Sequence, residues 1–475
     1  MVGMTLSAIA KACGGIYFGP EENMDVIVSG VTIDSRKVDK DSLFIAIKGE
    51  RSDGHDYIES IYEKGALCCI TEKQLENESY SFIKVESSLQ AIKDIAEYYR
   101  SVLDVKVIGI TGSVGKTSTK ETIAAVISKK YRVLKTLGNF NNELGLPLTI
   151  FRLTQDDEVA VLEMGISDFG EMTRLTKIAK PDICVITNIG LCHLENLKSR
   201  DGILEAKTEI FKSMAADGSV ILNGDDDKLV TIHSVNGKTP YFFGIYHKCT
   251  YFADKIENMG LDGMKATIHC GEDEAFEVLI PIPGHHMVYN VLAATVVGKV
   301  LELSKEEIRA GIESLESLSG RNHIIKNNGL TIIDDCYNAN PVSMKASIDV
   351  INTAISRKVC ILGDMFELGV DEKKLHYEVG EYLAGKEINI LITVGSLAKE
   401  ISDAVEAVNK LDSNRFNICQ VRNFKTRDEM LLQLKDIIQT GDTILVKASH
   451  GMEFSKVVEY LDMDEKPYRN EDNNE

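Results

Sequence analysis

Short apolar runs alternate with amphipathic stretches through the middle of the chain. The apolar runs cover residues 105–110, 159–162, 183–187 and 220–222, and each has the length of one buried strand. Between them, residues 171–179 and 202–215 place apolar side chains at helical spacing. Strands that alternate with helices are typical of a parallel sheet with crossover helices, so we predict such a sheet here.

The flanking segments vary this pattern. The segment up to residue 103 mixes apolar runs with turn-rich stretches and closes with a predicted helix over 89–102. From about residue 320, helical stretches separate predicted strands at 330–333, 359–362, 390–394 and 444–446, as in a doubly wound dinucleotide-binding fold. Residues 239–282 are rich in strand formers and turns, which predicts a small antiparallel addition to the central sheet.

These patterns predict an α/β protein of three domains. We expect a small α/β domain over residues 1–103, a central P-loop domain with an ATPase-like parallel sheet over 104–318, and a Rossmann-like α/β domain over 319–475. A length of 475 residues fits about three domains of ordinary size.

Charge and cysteine usage narrow the class of function. Lys and Arg number 53 against 73 Asp and Glu, which gives a formal net charge of −20. Such a balance disfavours nucleic-acid binding and adhesion to anionic membranes. The ten cysteines are scattered without a C-x-x-C pair, and the first residues lack the basic region of a secretory signal. We therefore expect a cytoplasmic protein with reduced thiols.

One uncharged stretch, residues 278–298, is long enough to cross a bilayer. It contains Pro281, Pro283, His285, His286 and Asn290, all of which are costly in hydrocarbon. The sequence therefore predicts no membrane insertion.

A glycine-rich loop at residues 111–118 carries the sharpest chemical signal, because it follows a predicted strand and precedes a predicted helix. Glycines let backbone N–H groups wrap a phosphate at the positive end of that helix. Lys116 is expected on the β- and γ-phosphates and Thr117 on Mg²⁺. Ile110 stands where the usual motif has its first glycine. The residues predicted to bind ATP or GTP are Gly112, Ser113, Val114, Gly115, Lys116, Thr117 and Ser118.

Two other short motifs imitate nucleotide enzymes. Residues 409–412 read Asn-Lys-Leu-Asp, like the guanine-reading box of GTPases, but they follow a helical stretch and not a strand. Residues 168–170 read Asp-Phe-Gly, like a protein kinase, without the companion motifs of kinases. The context of each motif argues against a GTPase and a kinase.

Three more residues are candidates for a site at the ends of the parallel strands. Glu163 ends a strand and is either a Mg²⁺ ligand or a solvated acid. His193 follows the strand at 183–187, where a lone histidine is more often structural than a metal ligand. Lys207 lies in a helical stretch, and from the residues alone a solvent-exposed lysine is the better interpretation.

Taken together with the motifs around them, these residues resemble those of the Mur ligases, which are ATP-dependent amide-forming enzymes of peptidoglycan synthesis. In the centre the resemblance rests on the phosphate loop and on residues 162–165, 187–190 with His193, 206–211, 222–226 and 283–290. Residues 138–147, 334–344 and 363–369 resemble the branch that adds D-alanyl-D-alanine. Residues 34–36 and 49–56 resemble the UDP-sugar end of the family.

The resemblance implies catalytic and metal roles. Lys116 and the loop amides would hold the ATP phosphates, and Thr117 with Glu163 would bind the first of two Mg²⁺ ions. His193 would complete that region. Lys207 would react with CO₂ to form a carbamate that ligates the second Mg²⁺.

It also implies nucleotide and substrate contacts. His286 and Asn290 would lie at the adenine, while Arg321 and Asp335 would reach the γ-phosphate and ribose from the third domain. The substrate-contacting residues implied are Ser35, Arg36, Arg51, Asp53, His55, Asn139, Asn142, Asn338 and Asn340. Three positions depart from the family pattern, namely Met287, Cys336 and His450.

The implied reaction joins UDP-N-acetylmuramoyl-tripeptide to D-alanyl-D-alanine through an acyl phosphate, and we expect the enzyme to be a monomer. Three alternatives stay open. The ligase that adds a diamino acid as third residue would show an Asp-Asn-Pro-Arg box, which this sequence lacks. A folyl-polyglutamate-type relative is the second alternative. A catalytically silent ATP-binding relative is the third, and the joint presence of Glu163, His193 and Lys207 argues against it.

Overall fold

The computed structural model describes residues 1–50, 52–247, 249–271, 274–411 and 419–463 of the chain. These residues form three sheets, which we call the N-terminal, central and C-terminal sheets. Helices accompany each sheet. The predicted α/β class with three sheet-containing regions is confirmed.

The N-terminal sheet is small and mostly parallel. Its strands are β1 (Ile16–Phe18), β2 (Val31–Thr32), β3 (Leu43–Ile45), β4 (Cys68–Thr71) and β5 (Phe82–Lys84), in the spatial order β1-β5-β4-β3-β2 with β1 antiparallel. Its helices are α1 (Leu6–Ala12), α2 (Ile58–Glu63) and α3 (Ser88–Ser101). On α3, Ile92, Ile95 and Tyr99 are buried at helical spacing, and the Tyr99 hydroxyl donates to the carbonyl of Leu153 (2.6 Å). This helix therefore joins the N-terminal region to the central one.

The central sheet carries the predicted alternation of strands and helices. Its strands are β6 (Lys106–Thr111), β7 (Val133–Lys135), β8 (Val159–Glu163), β9 (Ile183–Ile186), β10 (Ser219–Asn223), β11 (Tyr241–Gly244), β12 (Tyr251–Asn258), β13 (Met264–Cys270) and β14 (Ala275–Ile280). The spatial order is β14-β13-β12-β11-β10-β9-β6-β8-β7. The antiparallel addition predicted for 239–282 is only partly right, because β11 pairs in parallel with both β10 and β12, and only the pairs β12–β13 and β13–β14 are antiparallel. Strand-forming residues indicate a strand but not its direction.

Helices cover both faces of this sheet. They are α4 (Lys116–Ile127), α5 (Gly145–Ile150), α6 (Glu171–Ala179), α7 (Leu194–Leu197), α8 (Arg200–Thr208), α9 (His286–Val300) and α10 (Lys305–Glu313). The helix predicted over 202–215 ends earlier, and a 3₁₀ helix (Glu209–Ser213) follows it. The uncharged stretch 278–298 is divided between β14 and α9, whose apolar side chains enter the core. Within the described ranges, no helix has both the length and the apolar character needed to span a membrane.

The C-terminal sheet is parallel except at one edge. Its strands are β15 (His323–Asn327), β16 (Leu330–Asp334), β17 (Lys358–Gly363), β18 (Ile390–Val394), β19 (Gln420–Phe424) and β20 (Thr443–Lys447), in the order β15-β16-β20-β17-β18-β19. The helices are α11 (Pro341–Asn352), α12 (Glu372–Ala384), α13 (Lys399–Leu411), α14 (Arg427–Ile437) and α15 (Ser455–Asp462). The sequence pattern missed β15 and β19, which are edge strands. β15 is mostly half-buried and β19 is largely exposed, so neither carries a continuous apolar run.

Candidate active site

The phosphate loop connects the end of β6 to the start of α4 through residues 112–115. Gly112 has φ +149°, and a Cβ at this position would lie 1.9 Å from the hydroxyl oxygen of Thr187. Gly115 has φ +83° and directly precedes α4. Both positions therefore require glycine. The amine of Lys116 donates to the carbonyl of Gly112 (2.9 Å), and Ile110 is a buried residue of β6, so the strand continues where the usual motif has already begun to turn.

Asn188 holds the loop from the neighbouring strand end. Its side chain accepts from the backbone N–H of Val114 and donates to the carbonyl of Val114, both at 3.0 Å. The hydroxyl of Thr187 also donates to that carbonyl (2.6 Å). Residues 187–190 are part of the family resemblance, which implies no role for Asn188.

Glu163 is the last residue of β8, and its side chain is 3% exposed. Oε1 accepts from the side-chain amide of Asn141 (2.8 Å), and the Glu163 backbone N–H donates to the hydroxyl of Thr136 (3.0 Å). Oε2 has no hydrogen-bond partner in the part of the chain that the structure describes. The alternative of a solvated acid is wrong. A buried carboxylate oxygen left open beside a phosphate loop is suited to a cation.

Lys207 lies on the inward face of α8 with Ile203 and Ala206, and it is 1% exposed. The interpretation as a solvent-exposed helical lysine is therefore wrong, because the helix packs this face against the core. Burial, and after it the positive charge of Lys116, lowers the pKa of Lys207 to about 8. In a fraction of the molecules this amine is therefore uncharged near neutral pH.

His193 joins the central region to the C-terminal one. It precedes α7 with φ +49°, and its Nδ1 lies 2.9 Å from Oε2 of Glu367, a residue that also has positive φ (+61°). Burial lowers the pKa of His193, and the carboxylate of Glu367 opposes this effect. Two non-glycine residues in left-handed conformations thus meet at this contact.

Arg321 and Asp335 approach from the C-terminal region. The Arg321 guanidinium donates to the hydroxyl of Thr117 (3.3 Å) and lies 4.0 Å from the centre of the Tyr337 ring. Asp335 is buried, and its Oδ2 lies 2.5 Å from the amine of Lys447 and accepts from the hydroxyl of Ser347. Arg321 therefore points to the phosphate end of the cavity, whereas Asp335 is anchored by a buried ion pair.

His286 and Asn290 occupy the first turns of α9. The side-chain nitrogen Nδ2 of Asn322 lies 3.2 Å from Nε2 of His286, and Nδ1 of His286 has no hydrogen-bond partner among the described residues. Desolvation lowers the pKa of His286. Asn290 accepts from the hydroxyl of Thr119 on α4 (2.9 Å). This end of the site thus offers a neutral, unpaired imidazole nitrogen.

The four candidate asparagines lie near the same cavity, and several of them hold turns. Asn142 accepts from the backbone N–H of Gly145 (2.8 Å), and Asn340 caps α11 by accepting from the N–H of Ser343 (2.9 Å). Oδ1 of Asn338 accepts from the N–H of Ala339 (2.9 Å). Because the side-chain oxygens of these three asparagines accept hydrogen bonds within the turns, their side-chain NH₂ groups are left for a ligand.

A cavity of about 820 Å³ brings most of the predicted residues together between the central and C-terminal sheets. Its lining includes Ser113, Val114, Gly115, Lys116, Thr117, Ser118, Asn139, Asn142, Glu163, His193, His286, Asn290, Arg321, Asp335, Asn338 and Asn340. Gly112 and Lys207 are not part of this lining. Asn141, Asn322 and Tyr337 also line the cavity and were not predicted, because each stands beside a predicted residue without a motif of its own.

The remaining candidates lie at the N-terminal sheet and not in this cavity. Arg36 forms two 2.9 Å contacts with the carboxylate of Asp34, which hold the pKa of that carboxyl near 2, and Ser35 precedes it. His55 contacts Asp53 through Nδ1 (2.6 Å) and accepts the N–H of Glu72 at Nε2 (3.1 Å). Arg51 lies outside the described residues.

Metal-ligating side chains are sparse here. Among the described residues, no group of three or more His, Cys, Asp or Glu side chains is arranged to hold a metal ion. Magnesium in nucleotide sites is usually bound by one or two carboxylates together with phosphate oxygens and water. The open oxygen of Glu163 beside the phosphate loop fits that mode and not a closed metal centre.

The fold and the site define a P-loop protein with three α/β regions, in which a nucleotide cavity is closed by the C-terminal sheet. Family profiles match along most of the chain: "Mur ligase family, catalytic domain" at residues 27–101, "Mur ligase middle domain" at 110–298, and "Mur ligase, glutamate ligase domain" at 320–450. The chain belongs to the Mur ligase family.

Particular relatives are similar over almost the full length. UDP-N-acetylmuramoyl-tripeptide–D-alanyl-D-alanine ligase of Bacillus subtilis is 37% identical, covering 97% of this chain and 99% of the relative. MurF from Acinetobacter baumannii superposes with a TM-score of 0.85 at 29% identity, covering 96% of this chain and 98% of that one. MurF ligase from Thermotoga maritima, solved in complex with ADP, has a TM-score of 0.79 at 28% identity over 91% and 97% of the two chains.

Proposed function

We propose that this chain is an ATP-dependent ligase that adds D-alanyl-D-alanine to UDP-N-acetylmuramoyl-tripeptide. The near-complete coverage of the Bacillus subtilis ligase supports this substrate pair. The observation that carries the proposal is the cavity itself: its lining includes Lys116, Glu163 and Arg321, one carboxylate oxygen of Glu163 has no hydrogen-bond partner among the described residues, and Arg321 donates to Thr117 beside the phosphate loop. A complex of ADP with the similar ligase from Thermotoga maritima supports ATP as the nucleotide.

The chemistry begins with a peptide carboxylate, whose oxygen is a poor leaving group as hydroxide or oxide. One carboxylate oxygen attacks the γ-phosphorus of ATP, the bond to the bridging oxygen breaks, and ADP leaves. The free amine of D-alanyl-D-alanine then attacks the acyl carbon. Collapse of the tetrahedral intermediate expels phosphate, the nitrogen loses a proton, and an amide remains. This sequence needs no protein nucleophile, so the residues contribute by positioning and by charge.

Lys116 and Arg321 supply positive charge where two anions must meet. Lys116 stands at the start of α4, where loop amides and the helix end add to its field. Arg321 is held against the ring of Tyr337 and directed at Thr117. Their positive charge reduces the repulsion between the carboxylate and the γ-phosphate, and this lowers the barrier to phosphoryl transfer.

Glu163, Thr117 and His193 are the residues proposed to hold a first Mg²⁺. When bound, this ion would neutralise charge on the phosphate oxygens. The unpaired buried Oε2 of Glu163 supports the assignment, and the neutral form favoured at His193 suits a ligand.

Lys207 is proposed to carry a carbamate that ligates a second Mg²⁺. Carbamate formation needs an uncharged amine, and the lowered pKa of about 8 supports this. The resulting anion would be compensated by the charge of Lys116, which already acts on Lys207 electrostatically.

We further propose a role for each region: UDP-sugar binding by residues 1–103, ATP binding by 104–318, and closure with dipeptide binding by 319–475. The three separate sheets support this division. His286 and Asn290 would face the adenine, and the asparagines at 139, 142, 338 and 340 the peptide substrates. The absence of disulfides at the ten cysteines supports a location in the cytoplasm.

An amine screen tests the proposal. The full chain is incubated with ATP and Mg²⁺, and phosphate release is measured with three pairs of substrates: UDP-N-acetylmuramoyl-tripeptide with D-alanyl-D-alanine, the UDP-linked acceptor one residue shorter with a diamino acid, and a folate with glutamate. We expect release with the dipeptide only. Release with a diamino acid or glutamate alone would favour one of the related ligases, and release with none would favour a silent nucleotide-binding relative.

A further inference from the structure

A buried lysine behind the phosphate loop is not used by the proposed mechanism. Lys120 lies one helical turn after Lys116 on α4, and it is 1% exposed. A charged amine is costly to bury unless acceptors and opposite charge surround it. The acceptors and carboxylates that surround the amine of Lys120 therefore indicate its role.

Two of these partners, Thr136 and Glu163, are bonded to each other. The amine of Lys120 donates to the carbonyl of Thr136 (2.8 Å) and lies 3.9 Å from Oε2 of Glu163. Thr136 is itself attached to Glu163, because its hydroxyl accepts the N–H of Glu163 (3.0 Å). Lys120 is thus linked to Glu163 by its charge and through Thr136.

Glu121 neutralises only part of the charge of Lys120, because it also pairs with Lys135. Oε1 of Glu121 lies 3.0 Å from the amine of Lys120, while Oε2 of Glu121 pairs with Lys135. One carboxylate therefore faces two lysines. The remaining positive charge of the buried group is compensated by Glu163, whose carboxylate is equally buried.

The geometry at Glu163 leaves one oxygen open. Asn141 donates to Oε1 (2.8 Å), whereas Oε2 has no hydrogen bond from any described residue although Lys120 stands 3.9 Å away. At that distance the amine attracts Oε2 without occupying its lone pairs. Oε2 is therefore held in place while its lone pairs stay free of hydrogen bonds from the described residues.

We propose that Lys120 is a positioning residue that fixes the carboxylate of Glu163 with Oε2 open to a divalent cation at the phosphate loop. The inference rests on the proposed magnesium site at Glu163. Lys120 does not line the cavity, so it acts through Glu163 and not on the nucleotide.

Binding of Mn²⁺ to the full chain with ADP, followed by the electron paramagnetic resonance signal of free Mn²⁺, tests this. We expect Lys120→Met to weaken Mn²⁺ binding about 10–100-fold, the usual effect of losing a group that orients a metal ligand. Metal-free ADP binding should not change. Lys135→Met is the matched control: it removes the other lysine from Glu121, its side chain is 40% exposed, and Mn²⁺ binding should stay as in the wild type.

Glu163→Gln separates the two proposals. It should weaken Mn²⁺ binding by itself, and Lys120→Met should add nothing in the double variant, since both act through one carboxylate. If Glu163→Gln binds Mn²⁺ normally, the magnesium site is wrong. If it loses binding while Lys120→Met keeps it, the site stands and the role of Lys120 is wrong.

A stability measurement covers the case in which Lys120→Met folds poorly. That variant leaves the Glu163 carboxylate buried without its cation, and Glu163→Gln removes this unpaired charge. The double variant should therefore unfold at a higher urea concentration than Lys120→Met alone. Independent, additive losses from the two substitutions would overturn the inference.

Discussion

The guanidinium of Arg321 donates a hydrogen bond to the hydroxyl of Thr117 over 3.3 Å. Arg321 immediately precedes the C-terminal sheet, and Thr117 lies in the first turn of the helix that follows the phosphate loop. A cation from one region is thus placed at the phosphate site of another. The nucleotide site is therefore complete only when the C-terminal sheet lies over the central one.

Replacing Arg321 by methionine tests this cation. The substitution keeps an apolar stem against Tyr337 and removes the charge, so we expect kcat to fall about 10²–10³-fold, as for loss of one preorganised donor. Binding of the UDP-linked substrate should change little. Steady-state phosphate release and calorimetric binding measure the two quantities. Arg309→Met, at a half-exposed arginine paired with Glu313, is the control, and normal turnover in Arg321→Met would contradict the assignment.

Lys116→Ala should abolish ATP-dependent ligation. The substitution removes the charge expected on the β- and γ-phosphates, whereas the UDP-sugar candidates lie at the separate N-terminal sheet. Ligation is followed by phosphate release and UDP-substrate binding by calorimetry. Lys129→Ala, at an exposed lysine just beyond the same helix, should behave as wild type. Normal turnover without the Lys116 amine would remove the basis for the phosphate-loop assignment.

Lys207→Ala should lose activity that short carboxylic acids partly restore. Acetate or formate can place carboxylate oxygens where the carbamate would have stood, and the cavity left by the side chain gives them room. The measurement is phosphate release with and without added acid. Lys212→Ala, at an exposed lysine on the next turn, should be active and indifferent to the acid. Full activity of Lys207→Ala without additive would exclude a carbamate.

Gly112→Ala should destabilise the phosphate loop. The new Cβ would overlap the Thr187 hydroxyl at 1.9 Å, and φ +149° is unfavourable for any residue with a Cβ. The backbone strain alone costs about 1–3 kcal/mol, so the urea midpoint and ADP affinity should both fall. Gly30→Ala is the control, because a Cβ there meets nothing within 4 Å. Unchanged ADP binding in Gly112→Ala would show that the loop tolerates the overlap.

The fully buried His376 predicts a loss of stability in mild acid. Its Nε2 accepts the N–H of Met365 (2.9 Å) and its Nδ1 donates to the carbonyl of Glu372 (2.7 Å), so it fits as a neutral ring. Burial lowers its pKa below the ordinary 6.5. Above that value both folded and unfolded chains carry the neutral ring. As the pH falls from there towards the folded pKa, only the unfolded chain gains the proton, and the free energy of unfolding decreases.

Urea unfolding at about pH 7.5 and 5.5 measures this, at about 1.4 kcal/mol per unit of pKa difference. His376→Gln keeps one donor and one acceptor without a titrating ring, so its midpoint should fall less on acidification. His233→Gln, at an exposed ring, should not alter the wild-type pH dependence. An equal pH dependence in His376→Gln and wild type would show that this ring does not contribute.

Secondary structure was predictable from the sequence where buried positions form an apolar run or recur at helical spacing. Strands β8 and β18 are buried throughout and mostly apolar because helices cover both faces of their sheets, and the buried residues of α6 recur at helical spacing. Edge strand β19 was not predictable, because its exposed residues read as a polar loop. The burial of Lys207 was not predictable for a related reason: the sequence of a helix does not show whether a lysine lies on its buried or its exposed face.

The sequence by itself determined the phosphate loop, the alternation of strands and helices, and the family. These features depend on neighbouring residues, since a left-handed turn needs its glycine and a strand needs its apolar run. Only the tertiary structure decided that Arg321 meets Thr117, that His193 meets Glu367, and that Lys120 lies beneath Glu163. Such contacts join segments far apart in the chain, and their energies depend on burial and charge that exist only once the sheets have packed together.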